Sequence, residues 1–188
     1  MIRISDGDIG RAIVMLDKIP NGVSKAARSA INKTITGVRT DTKQEVTKRY
    51  EVKSSAVHKS ITINRAKGST LEAFTISQGR PIPLVNFKVR PKKVQRKGPR
   101  NKKISVSVKK GSATTLNNAF VAQFKSGHMG VVERKTRKRY PVRELFGPSI
   151  PKMMENKFVM GVVEDKAQVR LKKSFNHEVD RIMKGYGK

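Results

Sequence analysis

The sequence has no cysteine, few carboxylates, and no apolar run that approaches the length of a membrane span. Without cysteine the chain has no disulfide framework and no thiolate metal site. A transmembrane helix needs about 20 consecutive apolar residues, and no stretch of the sequence approaches that length. The first residues, Met1 to Asp6, lack the apolar stretch of a secretory signal. We therefore expect synthesis in a reducing cytoplasm.

Acidic residues are scarcest in the middle of the chain. The protein has 42 Lys and Arg against 14 Asp and Glu, for a formal net charge of +28. No acid occurs between Glu72 and Glu133, and eleven of the residues from Phe87 to Lys110 are basic. Self-repulsion of this size disfavours a lone compact monomer and favours a polyanionic or acidic partner. Nucleic acid, an acidic protein surface and an anionic membrane are the candidates.

The length of 188 residues favours one domain, or one domain with arms. Helical periodicity predicts a short helix after Ser5, a second long helix ending near Tyr50, and a short helix over 54–59. Gly37 falls inside the second helix, where glycine costs about 1 kcal/mol relative to alanine. We interpret it as a point where a neighbour packs closely. The apolar stripe of the second helix comprises Ala27, Ile31, Ile35, Val38, Thr42, Val46 and Tyr50.

The period then changes to the alternation that is typical of strands. Pro81 and Pro83 favour an edge position for the segment that contains them. Ser126-Gly127 predicts a turn, and Gly130 is expected to permit an unusual backbone angle. Extended segments are predicted over 60–65, 71–76, 82–89, 104–108, 119–124 and 129–133.

Between two of these strands lies a basic arm, defined here as residues 88–103. Its outer part carries Val94 as the only apolar side chain before Ile104 and includes a Gly-Pro pair, so it cannot bury itself and is expected to be solvated. Because Phe87 is the only aromatic residue that borders it, we expect contacts with phosphates that are independent of sequence, or with an acidic protein. The candidate binding residues are Lys88, Arg90, Lys92, Lys93, Arg96, Lys97, Arg100, Lys102 and Lys103.

From Lys152 the helical period returns and continues to about Gly185. Its apolar stripe comprises Met160, Val163, Ala167, Leu171, Phe175, Val179 and Ile182. The sequence therefore predicts an α+β fold, in which an antiparallel β meander or sheet is flanked by a long N-terminal and a long C-terminal helix, with a basic hairpin arm. We expect a single domain over 1–188. Its parts are a helical region over 1–59, a β region over 60–133 that includes the arm, a proline-rich connector over 134–151, and the C-terminal helix over 152–186.

Known catalytic signatures are absent from the sequence. His58, His128 and His177 stand alone, without a second ligand at metal spacing. Neighbouring Glu164 and Asp165 point about 100° apart on a helix and do not share a site. There is neither a phosphate-binding Gly-x-x-x-x-Gly-Lys loop nor a Gly-x-Ser-x-Gly elbow. We expect no enzymatic activity, no cofactor and no metal.

One region is recognisable. It reads Ala-Phe-Val-Ala-Gln-Phe-Lys-Ser-Gly-His-Met-Gly-Val-Val-Glu-Arg from Ala119, then Arg-Tyr-Pro-Val-Arg-Glu-Leu-Phe-Gly-Pro-Ser-Ile-Pro from Arg139. The Gly-His-x-Gly-Val turn, the basic run and the Leu-Phe-Gly-Pro-Ser-x-Pro segment resemble the minor tail protein Z family of long-tailed bacteriophages and prophages, the lambda-type tail completion proteins. The motif over 127–151 is specific, and the likeness elsewhere is compositional. Tyr140 departs from the family pattern, in which many members carry Leu.

The resemblance implies a structural virion protein that completes the head-proximal end, or neck, of a phage tail before head–tail joining. It implies the tail terminator, the tail tube and other connector proteins as partners, a homo-oligomeric ring expected to be a hexamer, proximity to phage DNA, and no membrane partner. It assigns no catalytic residue. The signature residues, which we expect to serve the fold or subunit contacts rather than DNA, are Gly127, His128, Gly130, Pro141, Leu145, Phe146, Gly147, Pro148 and Pro151.

Two other functions remain compatible with the residues. The first is a sequence-independent nucleic-acid-binding protein of ribosomal or nucleoid type, which would bind duplex or RNA without any virion. The second is a metal-dependent nuclease, although such chemistry usually needs several carboxylates around a divalent metal. Salt-sensitive binding would test the first, and plasmid nicking with magnesium would test the second.

Overall fold

A computed structural model describes residues 6–94 and 103–186 and has the predicted α+β fold. Long helices lie towards both ends of the chain, and the strands lie between them. The helices are α1 (Asp6–Leu16), α2 (Gly22–Arg49), α3 (Ser54–Ser60), α4 (Ile150–Met154) and α5 (Lys157–Tyr186). The strands are β1 (Ile61–Asn64), β2 (Phe74–Ser77), β3 (Ile82–Pro83), β4 (Lys88–Arg90), β5 (Ile104–Ser107), β6 (Thr114–Leu116), β7 (Ala119–Gln123), β8 (Met129–Arg134), β9 (Val142–Glu144) and β10 (Phe146–Gly147).

The two long helices, α2 and α5, pack against each other in antiparallel directions. Asp41 of α2 accepts a hydrogen bond of 2.6 Å from Arg170 of α5. One turn further along α2, Glu45 accepts a bond of 2.9 Å from Lys166, which lies one turn earlier in α5. Residue numbers therefore rise along one helix as they fall along the other. This pair of long helices is the main scaffold of the fold.

An alanine-rich core joins the first half of α2 to α1 and α5. Ala26 and Ala30 are fully buried, and Phe175 of α5 is 1% exposed against the same cluster. Leu16 of α1 belongs to it as well. Small side chains on α2 leave room for the large ones from its neighbours, so the helices can approach closely.

A second core lies under the strands. Val46 of α2, Val57 of α3 and Val131 of β8 are fully buried there, together with Met153 of α4. Several strands of this region contribute one apolar face, which explains the alternation in the sequence. Val89 and Val106, for example, are buried partners across β4 and β5. β2 is an exception, because Phe74 and Ile76 are exposed.

In the two described ranges, 6–94 and 103–186, the strands form four small antiparallel sheets in place of one continuous sheet. Two sheets are three-stranded meanders, with the orders β4-β5-β6 and β7-β8-β9. The other two are pairs, β1 with β2 and β3 with β10. The β3–β10 pair joins residues that are more than sixty positions apart in the chain, and it closes the region over 134–151 onto the β region.

Four features differ from the sequence-based expectations. The segment over 82–89 was expected to be extended throughout, but a 3-10 helix (Leu84–Asn86) separates β3 from β4. The region over 134–151 was expected to be irregular, but it contains β9 and β10, and β6 was not anticipated. The C-terminal helix was expected to run unbroken from Lys152. Instead α4 begins at Ile150 and ends at Met154, and α5 begins at Lys157. The break has a local cause, because the side chain of Asn156 accepts a hydrogen bond of 3.1 Å from the Phe158 amide in the manner of an N-cap.

None of the helices in the described part of the chain is both long and apolar enough to cross a membrane.

Candidate partner interface

The base of the basic arm is built by the β4–β5 pair. Lys88 pairs with Ser107 and Arg90 with Ser105, while Val89 between them faces the core. The alternation of a strand therefore sends both cations to the exposed side. The expected hairpin geometry is confirmed at its base, since β4 and β5 pair in antiparallel fashion.

Five of the nine predicted binding residues lie within the described part of the chain and all five are exposed. These arm-base cations are Lys88, Arg90, Lys92, Lys93 and Lys103. Among the described residues, no carboxylate lies within 4 Å of any of them. The other four, Arg96, Lys97, Arg100 and Lys102, lie outside the described residues.

The few carboxylates are mostly engaged elsewhere. Glu178 is fully buried on α5 and pairs with Lys33 of α2 and with Arg181, whose Nη2 lies 2.8 Å away. Asp41 and Glu45 are held by cations of α5, as described above. Three carboxylates thus lie between the long helices, whereas the arm-base cations have none within 4 Å among the described residues.

The electrostatics of these helix pairs follow from their contacts. Burial raises the pKa of Glu178 and is the largest single influence. Hydrogen bonds from Lys33, Arg181 and Ser29 together outweigh it, so that the pKa lies below its ordinary value. In the ion pair between Lys166 and Glu45, the hydrogen bond to Glu45 raises the pKa of Lys166.

The Gly-His-x-Gly turn of the signature is a tight hairpin between β7 and β8. Gly127 has φ +81°, and its amide donates to the Phe124 carbonyl at 2.9 Å. The Phe124 amide in turn donates to the His128 carbonyl at 2.8 Å. A three-residue loop of this kind needs a glycine at the left-handed position, which explains Gly127.

The second glycine of that turn has a different reason from the one expected. Gly130 does not adopt a positive φ. A Cβ at Gly130 would lie 2.8 Å from Oε1 of Glu144. The same oxygen lies 2.9 Å from Nε2 of His128. Gly130 thus leaves space for a carboxylate that crosses from β9 to the turn, and His128 has a structural partner.

The Leu-Phe-Gly part of the signature closes the β region. The Leu145 amide donates to Val131 at 2.8 Å, and the Leu145 carbonyl accepts from Leu84 at 2.9 Å. A Cβ at Gly147 would lie 2.6 Å from the buried ring of Phe87, so only glycine fits under that ring. Phe146, by contrast, is 52% exposed.

The prolines of the signature lie at chain turns. The Pro141 carbonyl accepts from Lys135 at 3.2 Å, at the end of the β8–β9 pair. Pro151 lies in the first turn of α4, where proline is favoured, and Ser149 caps that helix. Pro148 lies between β10 and this cap. Most signature residues therefore have a role inside the fold. Phe146 and His128 are also exposed at the surface.

Two features of the molecule could not be predicted from the sequence. One is the set of carboxylates that pair α2 with α5, which depends on long-range packing. The other is a groove of about 920 Å³ beside β7, lined by residues of the arm base and of the segment over 139–142. Only the alternation of β7 was visible in the sequence. Within residues 6–94 and 103–186, no three His, Asp or Glu side chains are grouped so as to hold a metal ion.

The fold and its surface define a basic α+β protein in which the recognisable residues build turns and strand pairs. Comparison with protein families identifies the family to which the chain belongs. The family model of prophage minor tail protein Z matches residues 8–187, nearly the whole chain, and the chain belongs to this family. It is thus a minor structural protein of a phage tail, a component of the virion that assembles with other tail proteins. Comparisons with curated proteins and with solved structures give no match.

Proposed function

We propose that the chain acts as a single tail-completion domain over 1–188 at the head-proximal end of a long phage tail. It packs there as a homo-oligomeric ring, a hexamer, against the tail terminator and the tail tube, and it takes part in head–tail joining. The basic arm faces the DNA that passes along the axis or an acidic neighbour. The signature region over 127–151 holds the fold and contributes to subunit contacts.

The separation of charge in the molecule carries this proposal. Three carboxylates, Asp41, Glu45 and Glu178, are paired between α2 and α5. The arm-base cations are exposed and have no carboxylate within 4 Å among the described residues. A ring would repeat this positive surface around one axis. Self-repulsion then favours a state in which DNA or acidic proteins neutralise the charge.

Exposed arm-base cations also fit a free nucleic-acid-binding protein, so the deciding experiment uses tails. Tails assembled without this protein would be incubated with the purified chain and sedimented. We expect the protein to co-sediment, to appear at the head-proximal end under label imaging, and to be present in six copies per tail. Tight binding to duplex DNA with no association with tails would overturn the proposal.

A matched pair of variants separates placement from charge. The first replaces the arm-base cations with Gln. The second makes the same change in net charge at five exposed lysines on the helices, namely Lys25, Lys48, Lys157, Lys173 and Lys184. We expect the first variant to lose head joining and the second to retain it. Equal loss in both would show that total charge, and not the arm, is what the tail requires.

A further inference from the structure

The groove beside β7 has features of a protein-binding site that the proposed function does not use. β7 lines it along the whole strand, from Ala119 to Gln123. The arm base contributes Pro91, Lys93 and Val94, and the opposite part contains Arg139 and Tyr140. The groove therefore runs beside a strand and not beside a helix or a loop.

Within residues 6–94 and 103–186, β7 is an edge strand whose outer hydrogen-bonding groups have no backbone partner. In the sheet order β7-β8-β9 it pairs with β8 alone. Because the Phe124 amide donates to His128, the alternation of an antiparallel pair turns the amides of Ala119, Val121 and Gln123 away from β8. In the described part of the chain no backbone carbonyl accepts from these three amides. Such an edge is a template for another strand.

The charge of the groove selects the kind of strand. Its charged lining residues are Lys93, Lys125, Arg134 and Arg139, and none of the acids in the described part of the chain lines it. An added segment with Asp or Glu would be attracted, while a basic segment of a second copy of this chain would be repelled. The chemistry of the groove therefore fits an acidic polypeptide.

The aromatic residues of the groove distinguish a peptide strand from a single-stranded nucleic acid less sharply than the backbone edge of β7 does. Stacking of bases needs an open ring face. The guanidinium of Arg134 lies 5.6 Å from the ring centre of Phe120, and the Phe124 ring is stacked on His128 at 5.8 Å. Arg139 lies over Tyr140 at 5.8 Å. Each ring has a partner on one face and leaves the other to a base, whereas the alternating amides of the β7 edge, unpaired within the described residues, match the main chain of a strand.

We propose that the outer edge of β7 accepts an extended, acidic segment of a partner protein, which adds to the sheet as a further strand. Main-chain hydrogen bonds give the affinity, and Lys125 and Arg139 select acidic side chains. The proposal goes beyond the placement of the protein in the tail and does not depend on which partner the arm meets.

The test measures binding of a fluorescent nine-residue peptide in which Glu alternates with Val. Two control peptides are the same sequence with its backbone amides N-methylated and the same pattern with Lys in place of Glu. The N-methylated peptide retains every charge but cannot donate hydrogen bonds to β7. We expect the unmodified acidic peptide to bind at least about tenfold tighter than both controls. Equal affinity for the N-methylated peptide would overturn the proposal, because binding would then be due to charge alone.

Variants of the full chain locate the site. Gln123→Pro removes one outward amide without removing a bond to β8, and Gln123→Ala is its matched control because it retains that amide. We expect the proline variant to bind about three- to tenfold more weakly than the alanine variant, which is the range for one hydrogen bond. Lys125→Glu with Arg139→Glu should weaken binding further, and Lys109→Glu with Lys110→Glu, outside the groove, should weaken it less. Equal binding by the two Gln123 variants, or equal loss in the two charge-reversed pairs, would contradict the proposal.

Hydrogen exchange provides a readout that does not need a variant. The amides of Ala119, Val121 and Gln123 should become protected when the acidic peptide is added to the unaltered protein. Protection of these amides by oligothymidylate, and not by the peptide, would make the groove a nucleic-acid site and would overturn the proposal. Unchanged exchange with a bound peptide would equally do so, because the peptide would then lie elsewhere.

Discussion

The guanidinium of Arg170 fills the space that a side chain at Gly37 would occupy. A Cβ at Gly37 would lie 2.6 Å from Nε of Arg170, and the same guanidinium donates to Asp41 at 2.6 Å. The glycine in the middle of α2 thus allows an arginine from α5 to cross the helix and reach a buried carboxylate. The expectation that a neighbour packs closely at Gly37 is confirmed.

Gly37→Ala should destabilise the protein in spite of the better helix propensity of alanine. Alanine gains about 1 kcal/mol in a helix interior. The new methyl group displaces Arg170, however, and a buried carboxylate that loses its cation costs several kcal/mol, part of which the flexible arginine regains by shifting. We expect a net loss of about 1–2 kcal/mol in the free energy of unfolding, measured by urea denaturation.

Gly161→Ala is the control for that substitution, because Gly161 lies in α5 with nothing within 4 Å of its Cβ position. It should leave stability unchanged or raise it by up to about 1 kcal/mol. If Gly37→Ala were as stable as Gly161→Ala, the contact with Arg170 would have no energetic role.

Local patterns predicted the elements that have a clear period, and long-range packing decided the rest. The stripe of α2 predicted the burial of Ala27, Ile35 and Val46. In α5 the same method selected Met160, which is 44% exposed, where Val159 is the buried residue. The error is confined to the first turn after the break at Asn156, because Val163, Ala167, Leu171, Phe175 and Val179 of the same stripe are buried. No pattern of apolar residues reveals a cap such as Asn156.

Short strands and polar contacts escaped prediction for a related reason. β3 and β10 have two residues each, too few for a period, and they exist because they pair with each other across the chain. The exposed cations at the arm base could be read from the sequence, because a dense charge run cannot be buried. The groove beside β7 could not, because its walls come from five separate stretches of the chain.

The stability of the protein should fall in acid through Glu178. The pKa of this carboxyl is lowered in the fold, because hydrogen bonds from Lys33, Arg181 and Ser29 outweigh the effect of burial. A lowered pKa contributes stability that is fully present above the pKa of the unfolded chain, near 4.5, and is lost as the pH falls through the folded value. Glu178→Gln should therefore cost about 1–3 kcal/mol at pH 7 and flatten the loss of stability below pH 4.5.

Urea denaturation from pH 7 to pH 3 measures this effect, and Glu164→Gln serves as the control. Glu164 is exposed on the same helix. Its substitution should leave the pH profile of the unaltered protein nearly unchanged. A Glu178→Gln profile that runs parallel to that of Glu164→Gln would show that the buried carboxylate does not carry the acid sensitivity.

Gly147→Ala should test whether the signature region serves the fold. The methyl group would meet the buried ring of Phe87 at 2.6 Å, and a packed ring cannot move aside as a surface side chain can. We expect a loss of about 1–3 kcal/mol in the free energy of unfolding with unchanged affinity of the folded protein for DNA. Gly79→Ala, whose Cβ would lie 3.5 Å from Pro151 in ordinary contact, should be close to neutral. A stable Gly147→Ala variant with altered DNA affinity would contradict a structural role.

Binding of duplex DNA, measured by fluorescence anisotropy over a range of salt concentrations, should report the arm-base cations individually. Each phosphate contact that a cation makes contributes about 0.9 to the slope of log K against log salt. Replacing Lys88, Arg90, Lys92, Lys93 and Lys103 with Gln should therefore reduce the slope by up to about 4.5, and equally for different DNA sequences, because contacts with phosphates do not read bases.

The variant with Gln at five helix lysines has the same net charge, so it distinguishes local contacts from the long-range field of the protein. It should retain most of the slope, because distant exposed charges are screened beyond about 10 Å at 0.1 M salt. If both variants lost the same slope, DNA would be attracted by the overall charge, and the arm base would not be the contact. If neither lost any, the countercharge for the arm base would be sought on an acidic tail protein, for which the same two variants would be compared in binding to tails.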